Sequence, residues 1–337
     1  MNMKRGLLLV VLVAVVSLLS VGTPVPPVSA QEITIDDANN TLTVTGADAG
    51  TAIAIRGTVT NVSANNYPNA ITAVLFREVA GDIALGDMTL SWWTGAPGWQ
   101  PAGPQFKPTN YGGYQMELNI GGSGFPLPPG FVGAGTWIRG VATRDFGTVE
   151  AKVITYVPND ANQQYDLGET IISELGPTDT DIQIDLLGFN LETVYVDDGW
   201  AGCNVGDPAL NIPTQEVDPD KFCKINAFDK VQDGINNVYG STVDVYPGTY
   251  NQDEANGYNP NTGGAGSNDF NIFVNKSVTI RGVDGSGSPI TDYDDVAAHV
   301  MAKRNLPTFG PSAIFVQATS TLTGMAFLPA TPSTRAP

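Results

Sequence analysis

The sequence has little of the chemistry that nucleic-acid-binding proteins and zinc enzymes use. Its 337 residues include one histidine, His299, and two cysteines, and 16 Lys and Arg residues stand against 34 Asp and Glu residues. A net charge of −18 repels nucleic acid and anionic membranes. His299 is far from both cysteines in sequence, and two thiolates alone make a poor zinc site. We therefore expect no nucleic-acid partner.

Long apolar runs are absent after the first 30 residues, so no later segment predicts a membrane span. At the start, two basic residues precede an apolar run from Gly6 to Leu19, and small residues follow at 28–30. This order predicts a signal peptide over residues 1–30, with an uncleaved membrane anchor as the alternative. Cleavage would remove 2 of the 16 basic residues and leave a net charge of 14 minus 34, about −20. We expect a secreted or cell-surface protein without a transmembrane segment.

Leu, Lys and Glu at helical spacing are scarce, whereas Gly, Thr, Val and Asn are abundant, which predicts a mainly β fold. Alternating apolar residues, as in Ile53, Ile55 and Val59, are typical of strands with one buried face. A mature chain of this length favours two domains. We predict a β-sandwich over 31–158, a connector over 159–190 and a second β domain over 191–337.

The end of the first domain has a specific pattern. The strand that starts at Gly135-Thr136-Trp137 is followed by the turn at Asp145-Phe146-Gly147 and by an alternating strand from Val149 to Val157. This segment resembles the last hairpin of bacterial immunoglobulin-like domains. The resemblance implies an immunoglobulin-like sandwich that serves as a stalk, spacer or binding module, and it implies no catalysis.

Three of the five tryptophans, Trp92, Trp93 and Trp99, lie within eight residues. Exposed aromatic rings beside a turn can stack on sugar rings or on another protein, so these residues are candidate carbohydrate-binding groups. The alternative is that they close the end of the sandwich, since tryptophans usually bury most of their surface.

The two cysteines, Cys203 and Cys223, lie in one irregular stretch. In an exported protein this even count predicts a disulfide that closes a loop of about 20 residues and contributes about 3 kcal/mol. A metal site is the alternative.

An internal repeat marks the second domain. Ile272-Phe273-Val274 recurs as Ile314-Phe315-Val316, and at the same offset of 42 Thr279 matches Thr321. The repeat predicts two coils of a solenoid stacked in register, with an insertion over 284–311 that includes a helix near residues 296–303. A further helix is predicted from Phe228 to Val238, with Asn226 as its N-cap.

The order of these elements carries a second resemblance. The helix precedes Val243-Asp244-Val245-Tyr246-Pro247-Gly248-Thr249-Tyr250 and then Asn275-Lys276-Ser277-Val278-Thr279-Ile280-Arg281-Gly282. This order resembles the first rungs of right-handed parallel β-helices of the pectin lyase-like superfamily. The resemblance implies a helix-capped β-helix over 191–337.

The sequence departs from the enzymes of that superfamily. Gln252 stands where pectin methylesterases have a glutamate, and the rungs that carry their catalytic residues have no counterpart here. The chain stops at Pro337 without a segment that would cap the coil, so we expect a fragment of a longer protein.

Two further groups are candidate sites. Tyr250, Tyr258 and the Asn/Gly-rich loop from Asn251 to Asp269 would form part of a glycan-binding edge of the coil, or the loop would be a plain insertion. Asp292, Asp294 and Asp295 are candidate ligands for Ca²⁺, the cofactor that such a cluster would take, or they stabilise the start of the predicted helix.

Two classes of function follow. The first is a noncatalytic adhesion or carbohydrate-binding module whose partner is an extracellular polysaccharide or a surface protein. The second is part of a polysaccharide lyase, esterase or hydrolase whose active site lies on missing rungs. Carboxylates clustered on one face of the coil would favour the enzyme, and we expect no catalytic residue within this chain.

Overall fold

A computed structural model shows how the chain folds. The structure describes residues 32–93, 99–103, 106–120, 125–133, 136–162, 164–174, 176, 178–210, 217–240, 242–250, 270–274, 276–292, 298–301, 312–316, 320–323 and 325–328. The predicted signal peptide over 1–30 lies outside the described residues. Described residues are mostly in strands, so the predicted mainly β fold class is confirmed.

Among the described residues, thirteen strands precede residue 191. They are β1 (Glu32–Asp36), β2 (Thr41–Thr45), β3 (Ala52–Asn61), β4 (Tyr67–Glu78), β5 (Met88–Trp93), β6 (Trp99–Pro101), β7 (Phe106–Pro108), β8 (Met116–Asn119), β9 (Phe125–Leu127), β10 (Thr136–Ala142), β11 (Thr148–Val157), β12 (Thr170–Ser173) and β13 (Ile182–Asn190).

These strands form two antiparallel sheets. The large sheet has the order β1-β2-β11-β4-β8-β7, with β12 beside β11 and β9 beside β4. The second sheet has the order β13-β3-β10-β5-β6. Strands β12 and β13 come from the predicted connector, so residues 159–190 supply one strand to each sheet.

The inner faces of the two sheets share one core. Ile53 and Ile55 of the second sheet pack with Val149, Ala151 and Val153 of the large sheet, as their alternation predicts.

The outer face of the large sheet is also partly buried. Ala73 and Leu75 of β4 lie under Tyr114 and other tyrosines. A clean alternation of apolar and polar residues is therefore lost in β4, because both of its faces are covered.

The remaining strands follow residue 191. They are β14 (Thr193–Val196), β15 (Pro208–Leu210), β16 (Val217–Phe222), β17 (Ala227–Phe228), β18 (Thr242–Val245), β19 (Gly248–Tyr250), β20 (Phe270–Val274), β21 (Thr279–Gly282), β22 (Ala298–Met301), β23 (Ser312–Val316), β24 (Thr321–Thr323) and β25 (Met325–Leu328).

Three parallel sheets contain most of these strands. Their orders are β17-β14-β18-β21-β24, β19-β22-β25 and β20-β23, while β15 and β16 form an antiparallel hairpin. From β18 to β25 the chain visits the three sheets in the same repeated order. The pairing of the strands confirms the predicted repeat, because Ile272 pairs with Ile314 and Thr279 pairs with Thr321.

Helix α1 (Val231–Asn237) is shorter than predicted. Asn226 is not its N-cap, because its side chain accepts a hydrogen bond from the Phe222 N–H at 2.7 Å and donates to the Asp220 carbonyl at 2.8 Å. That turn leads residues 227–228 into β17, parallel to β14. Pairing with a neighbouring strand therefore delays the start of the helix.

The prediction of a helix near residues 296–303 is wrong for residues 298–301, the part of this segment that the structure describes. Residues 298–301 form β22, which pairs in parallel with β19 and β25. Backbone pairing on both sides outweighs local helix propensity here. Within the described ranges, no helix combines the length and the hydropathy of a membrane span.

Candidate functional site

The three clustered tryptophans are half-buried. Trp93 and Trp99 face each other across the β5–β6 pair, with ring centroids 5.8 Å apart in an edge-to-face arrangement. Both pack against a core cluster that includes Trp137 and Phe222. Trp92 lies opposite Gln100. The rings of Trp93 and Trp99 thus join the second sheet to the residues that follow it.

Of the two tyrosines at the predicted glycan-binding edge, the structure describes only Tyr250. Tyr250 is 2% exposed, and its hydroxyl donates to the carbonyls of Tyr246 at 2.8 Å and Val196 at 3.2 Å. A sugar cannot stack on a ring that solvent does not reach. Tyr258 lies outside the described residues.

The candidate calcium ligands are only partly described. Asp292 is exposed, and Asp294 and Asp295 lie outside the described ranges. In the part of the chain that the structure describes, no group of three or more His, Cys, Asp or Glu side chains could hold a metal ion.

The predicted disulfide is confirmed. Cys203 and Cys223 are bonded, with their Cα atoms 6.0 Å apart. The bond closes a loop that holds the β15–β16 hairpin, and Cys223 packs beside Trp200 and Tyr246.

The outer face of the large sheet carries an open cleft of about 530 Å³, which we call the tyrosine cleft. It is lined by Asp36, Asn39, Thr41, Arg77, Asn110, Tyr111, Gly112, Tyr114, Glu150, Lys152, Tyr165 and Leu167.

Strand register places the floor of the tyrosine cleft. Val149, Ala151 and Val153 of β11 point into the core, so Glu150 and Lys152 between them point outward. Glu150 lies opposite Arg77 of β4, and Lys152 lies opposite Thr41 of β2. Three neighbouring strands therefore present their polar side chains to one surface.

A turn brings two tyrosines to the same side of the cleft. Gly112 and Gly113 have φ values of 48° and 88°, which L residues rarely adopt, and the Tyr114 N–H donates to the Tyr111 carbonyl at 2.7 Å. The Tyr111 ring lies 6.1 Å from that of Tyr114 and 5.1 Å from that of Tyr165.

The three tyrosines of the cleft differ in their exposure to solvent. Tyr114 and Tyr165 are each 7% exposed, whereas Tyr111 is half-buried. Leu167, at the rim, is 85% exposed. Tyr111 and Leu167 therefore offer apolar surface to a ligand, while Tyr114 and Tyr165 support Tyr111 from behind.

Hydrogen bonds hold the polar groups in place. Arg77 forms an ion pair with Glu150 at 2.9 Å and lies 5.0 Å from the Tyr114 ring centroid. The Tyr114 hydroxyl donates to Glu150, and the Tyr111 hydroxyl donates to Glu174. Lys152 Nζ donates to the carbonyls of Asn39 at 2.8 Å and Glu174 at 2.9 Å.

The protonation states follow from these contacts. Burial, together with the hydrogen bonds to Glu174 and Glu150, raises the pKa of Tyr111 and Tyr114 far above the usual value. The hydrogen bond to Glu150 raises the pKa of Arg77, and burial lowers that of Lys152. At neutral pH the two phenols remain neutral hydrogen-bond donors.

Arg281 of β21 is a charged residue that lies outside the tyrosine cleft. On the first parallel sheet it lies beside Asp244 of the neighbouring strand and forms a two-point ion pair with it, Nη2 donating at 3.1 Å. The hydrogen bond to Asp244 raises the pKa of Arg281, so the guanidinium stays protonated. It cannot accept a proton from a substrate in this arrangement.

Sequence reasoning missed the tyrosine cleft. Its residues come from five separated stretches between Asp36 and Leu167, and no local motif joins them. The one local signal was Tyr111-Gly112-Gly113-Tyr114, where two glycines between two aromatic residues predict a tight turn that places both rings on one side.

Comparisons with known proteins show no family for the chain. No protein-family model matches the sequence, and no curated protein matches it. Among solved structures, a protein described by the words "AvmM Catalyzes Macrocyclization in Alchivemycin A Biosynthesis" is similar at 15% identity, with a TM-score of 0.25, over 48% of this chain and 87% of that one.

Proposed function

We propose that the protein is a secreted or cell-surface modular protein with a noncatalytic carbohydrate-binding function, and that the tyrosine cleft is its glycan site. The observation that carries this proposal is the half-buried Tyr111 ring beside exposed Leu167, surrounded by polar side chains. Sugar rings present C–H faces that stack on aromatic rings and hydroxyls that hydrogen-bond at the edges.

The proposed architecture supports a modular role. We propose that the two antiparallel sheets form an immunoglobulin-like sandwich, since they share a core between their inner faces. We also propose that the parallel sheets are the start of a right-handed parallel β-helix. The repeated order in which the chain visits three sheets supports this proposal.

Binding is favoured over catalysis by the state of the ionisable groups. The Tyr114 phenol and the Arg77 guanidinium are both bonded to the Glu150 carboxylate. On the first parallel sheet, the Asp244 carboxylate is used by Arg281. Within the described residues, neither surface shows the free pair of carboxylates that an acid–base reaction on a glycoside needs.

Export is part of the proposal. The signal peptide predicted over 1–30 supports it, as does the disulfide, which persists in oxidising compartments. N-terminal sequencing of the protein recovered from the culture medium of a secreting host should begin at Gln31.

Glycan binding is tested by calorimetric titration with cellohexaose, xylohexaose, mannohexaose and hexagalacturonate. We expect at least one of them to bind, and Tyr111→Ala to weaken that binding about tenfold through loss of the stacking surface. Tyr111→Phe keeps the ring and should retain affinity within about threefold.

Tyr67→Ala is the matched control, because Tyr67 is also a half-buried tyrosine of the large sheet but lies outside the cleft. Its affinity should equal that of the unaltered protein. Failure of all four oligosaccharides to bind would contradict the proposal. New reducing ends or unsaturated products released from these sugars would support the lyase, esterase or hydrolase alternative.

A further inference from the structure

We infer that the tyrosine cleft selects neutral glycans and rejects glycans built from uronic acids. This inference rests on the proposed glycan-binding function. It concerns the chemical class of the ligand and follows from how the charges of the cleft are used within the chain.

Both cations of the cleft are already compensated. Arg77 donates through Nη2 to Glu150 at 2.9 Å, and its Cζ atom lies 5.0 Å from the Tyr114 ring centroid. Lys152 directs its ammonium to two backbone carbonyls and is surrounded by Glu174, Glu150 and Asp36. A carboxylate ligand would compete with these partners for each cation, and buried or half-buried charge pairs resist separation.

Among the described residues, the carboxylates around the cleft outnumber its cations. Asp36 and Glu150 line the cleft, and Glu174 lies at its edge, where it accepts a hydrogen bond from the Tyr111 hydroxyl. The two cations are Arg77 and Lys152. The whole chain carries a net charge of −18. An acidic polysaccharide would therefore meet repulsion both at the cleft and on approach.

The same carboxylates already accept hydrogen bonds from groups of the chain. Glu150 accepts from Arg77 and Tyr114, and Glu174 accepts from Tyr111. Asp36 accepts from the backbone N–H groups of Ala38 and Asn39 and from the Asn39 amide. Each carboxylate is thus bound within the chain.

The cleft also offers uncharged groups. Tyr111 and Leu167 provide apolar surface, and Asn110 is exposed at the same wall. The Asn110 amide and the Thr41 hydroxyl are neutral groups that can donate to and accept from sugar hydroxyls. Uncharged hexose or pentose units match this combination of surface and polarity.

The test compares neutral and acidic probes on the same protein. Cellohexaose, xylohexaose and mannohexaose are titrated against hexagalacturonate in 50 mM and 500 mM NaCl. We expect a neutral probe to bind with a Kd that changes less than twofold between the two salt concentrations, and hexagalacturonate to bind at least tenfold more weakly at 50 mM NaCl.

The two proposals fail differently in this experiment. Hexagalacturonate binding as tightly as the best neutral probe would overturn the inference while leaving glycan binding in place. Absence of binding by every probe would overturn the proposed function itself.

A gain of binding provides an independent test. Glu150→Gln keeps the shape of the side chain but leaves Arg77 without its counter-charge. Removing one negative charge near a bound carboxylate should tighten hexagalacturonate binding about fivefold at 50 mM NaCl, and less at 500 mM. Asp87→Asn, which removes a carboxylate paired with Arg144 outside the cleft, is the control and should leave hexagalacturonate affinity unchanged. Equal hexagalacturonate affinity in Glu150→Gln and the unaltered protein would count against the inference.

Discussion

At the scale of single residues, Lys276 shows how a fold changes the chemistry of a side chain. Its ammonium donates to the Val238 carbonyl at 2.6 Å, just after helix α1, and lies 5.7 Å from the Tyr239 ring. The Arg139 guanidinium lies 4.7 Å from the same ring and 4.6 Å from Trp99. Burial, and secondarily the charge of Arg139, lowers the pKa of Lys276 to about 8.

This shift predicts a pH-dependent stability. The unfolded lysine has a pKa near 10.4, so between about pH 8 and 10.4 the unfolded state binds more protons than the folded state. The free energy of unfolding contributed by Lys276 therefore rises with pH across this window, and its penalty is fully present below pH 8. Urea denaturation from pH 7 to 9.5 should show a larger rise for the unaltered protein than for Lys276→Met. Parallel plots of unfolding free energy against pH for the two proteins would contradict the lowered pKa of Lys276.

At the scale of elements, packing determines helix α1. The helix has seven residues and no side-chain cap, so local signals alone would not stabilise it. Val231 and Ile235 are fully buried against Val194, Val196 and Val243 of the first parallel sheet. Gly234 lies where the helix approaches that sheet most closely, and a Cβ there would be 2.7 Å from Val196 Cγ2.

Gly234→Ala tests this close contact. Alanine gains about 1 kcal/mol of helix propensity, but overpacking costs about 1–3 kcal/mol, so the middle of that range gives a net destabilisation of about 1 kcal/mol. At Gly147 a Cβ would meet nothing within 4 Å, and Gly147→Ala should change stability by less than about 0.5 kcal/mol. Both values come from urea denaturation. A Gly234→Ala protein as stable as the unaltered one would show that the helix can move away from the sheet.

Sequence patterns predicted the elements unequally. Alternation identified the inner faces of β3 and β11, and the offset of 42 predicted the pairing of β20 with β23 and of β21 with β24. The pattern failed at β22, where residues with helical periodicity pair with two neighbouring strands. Periodicity reports one buried face, so it is uninformative where partners on both edges determine the backbone.

At the scale of the whole molecule, the described residues from 32 onward form one compact unit. The second antiparallel sheet contacts the later residues through Trp137, whose ring centroid lies 5.4 Å from that of Phe222. Arg56 lies 5.1 Å from the Trp137 ring and donates to the Gly206 carbonyl at 3.4 Å. At Gly206 itself a Cβ would be 2.4 Å from Trp137 Nε1, so the two chain segments approach very closely there.

These contacts predict coupled unfolding. Calorimetry of the protein should show one cooperative transition. Trp137→Ala removes the ring that links the two parts, which should cost about 3–5 kcal/mol and separate the transition into two. Leu85→Ala is the control, because Leu85 is 69% exposed and its replacement should leave the single transition intact. Two transitions in the unaltered protein would show that the halves unfold independently.

The sequence by itself determined the mainly β class, the disulfide and the register of the repeat. Each depends on composition, on an even cysteine count or on a fixed spacing, which are properties of the chain before it folds. Only the tertiary structure decided that Tyr250 is a core residue and that Tyr111, Glu150 and Lys152 share a cleft. Burial and convergence depend on which segments cover a side chain, and those segments lie far apart in the sequence.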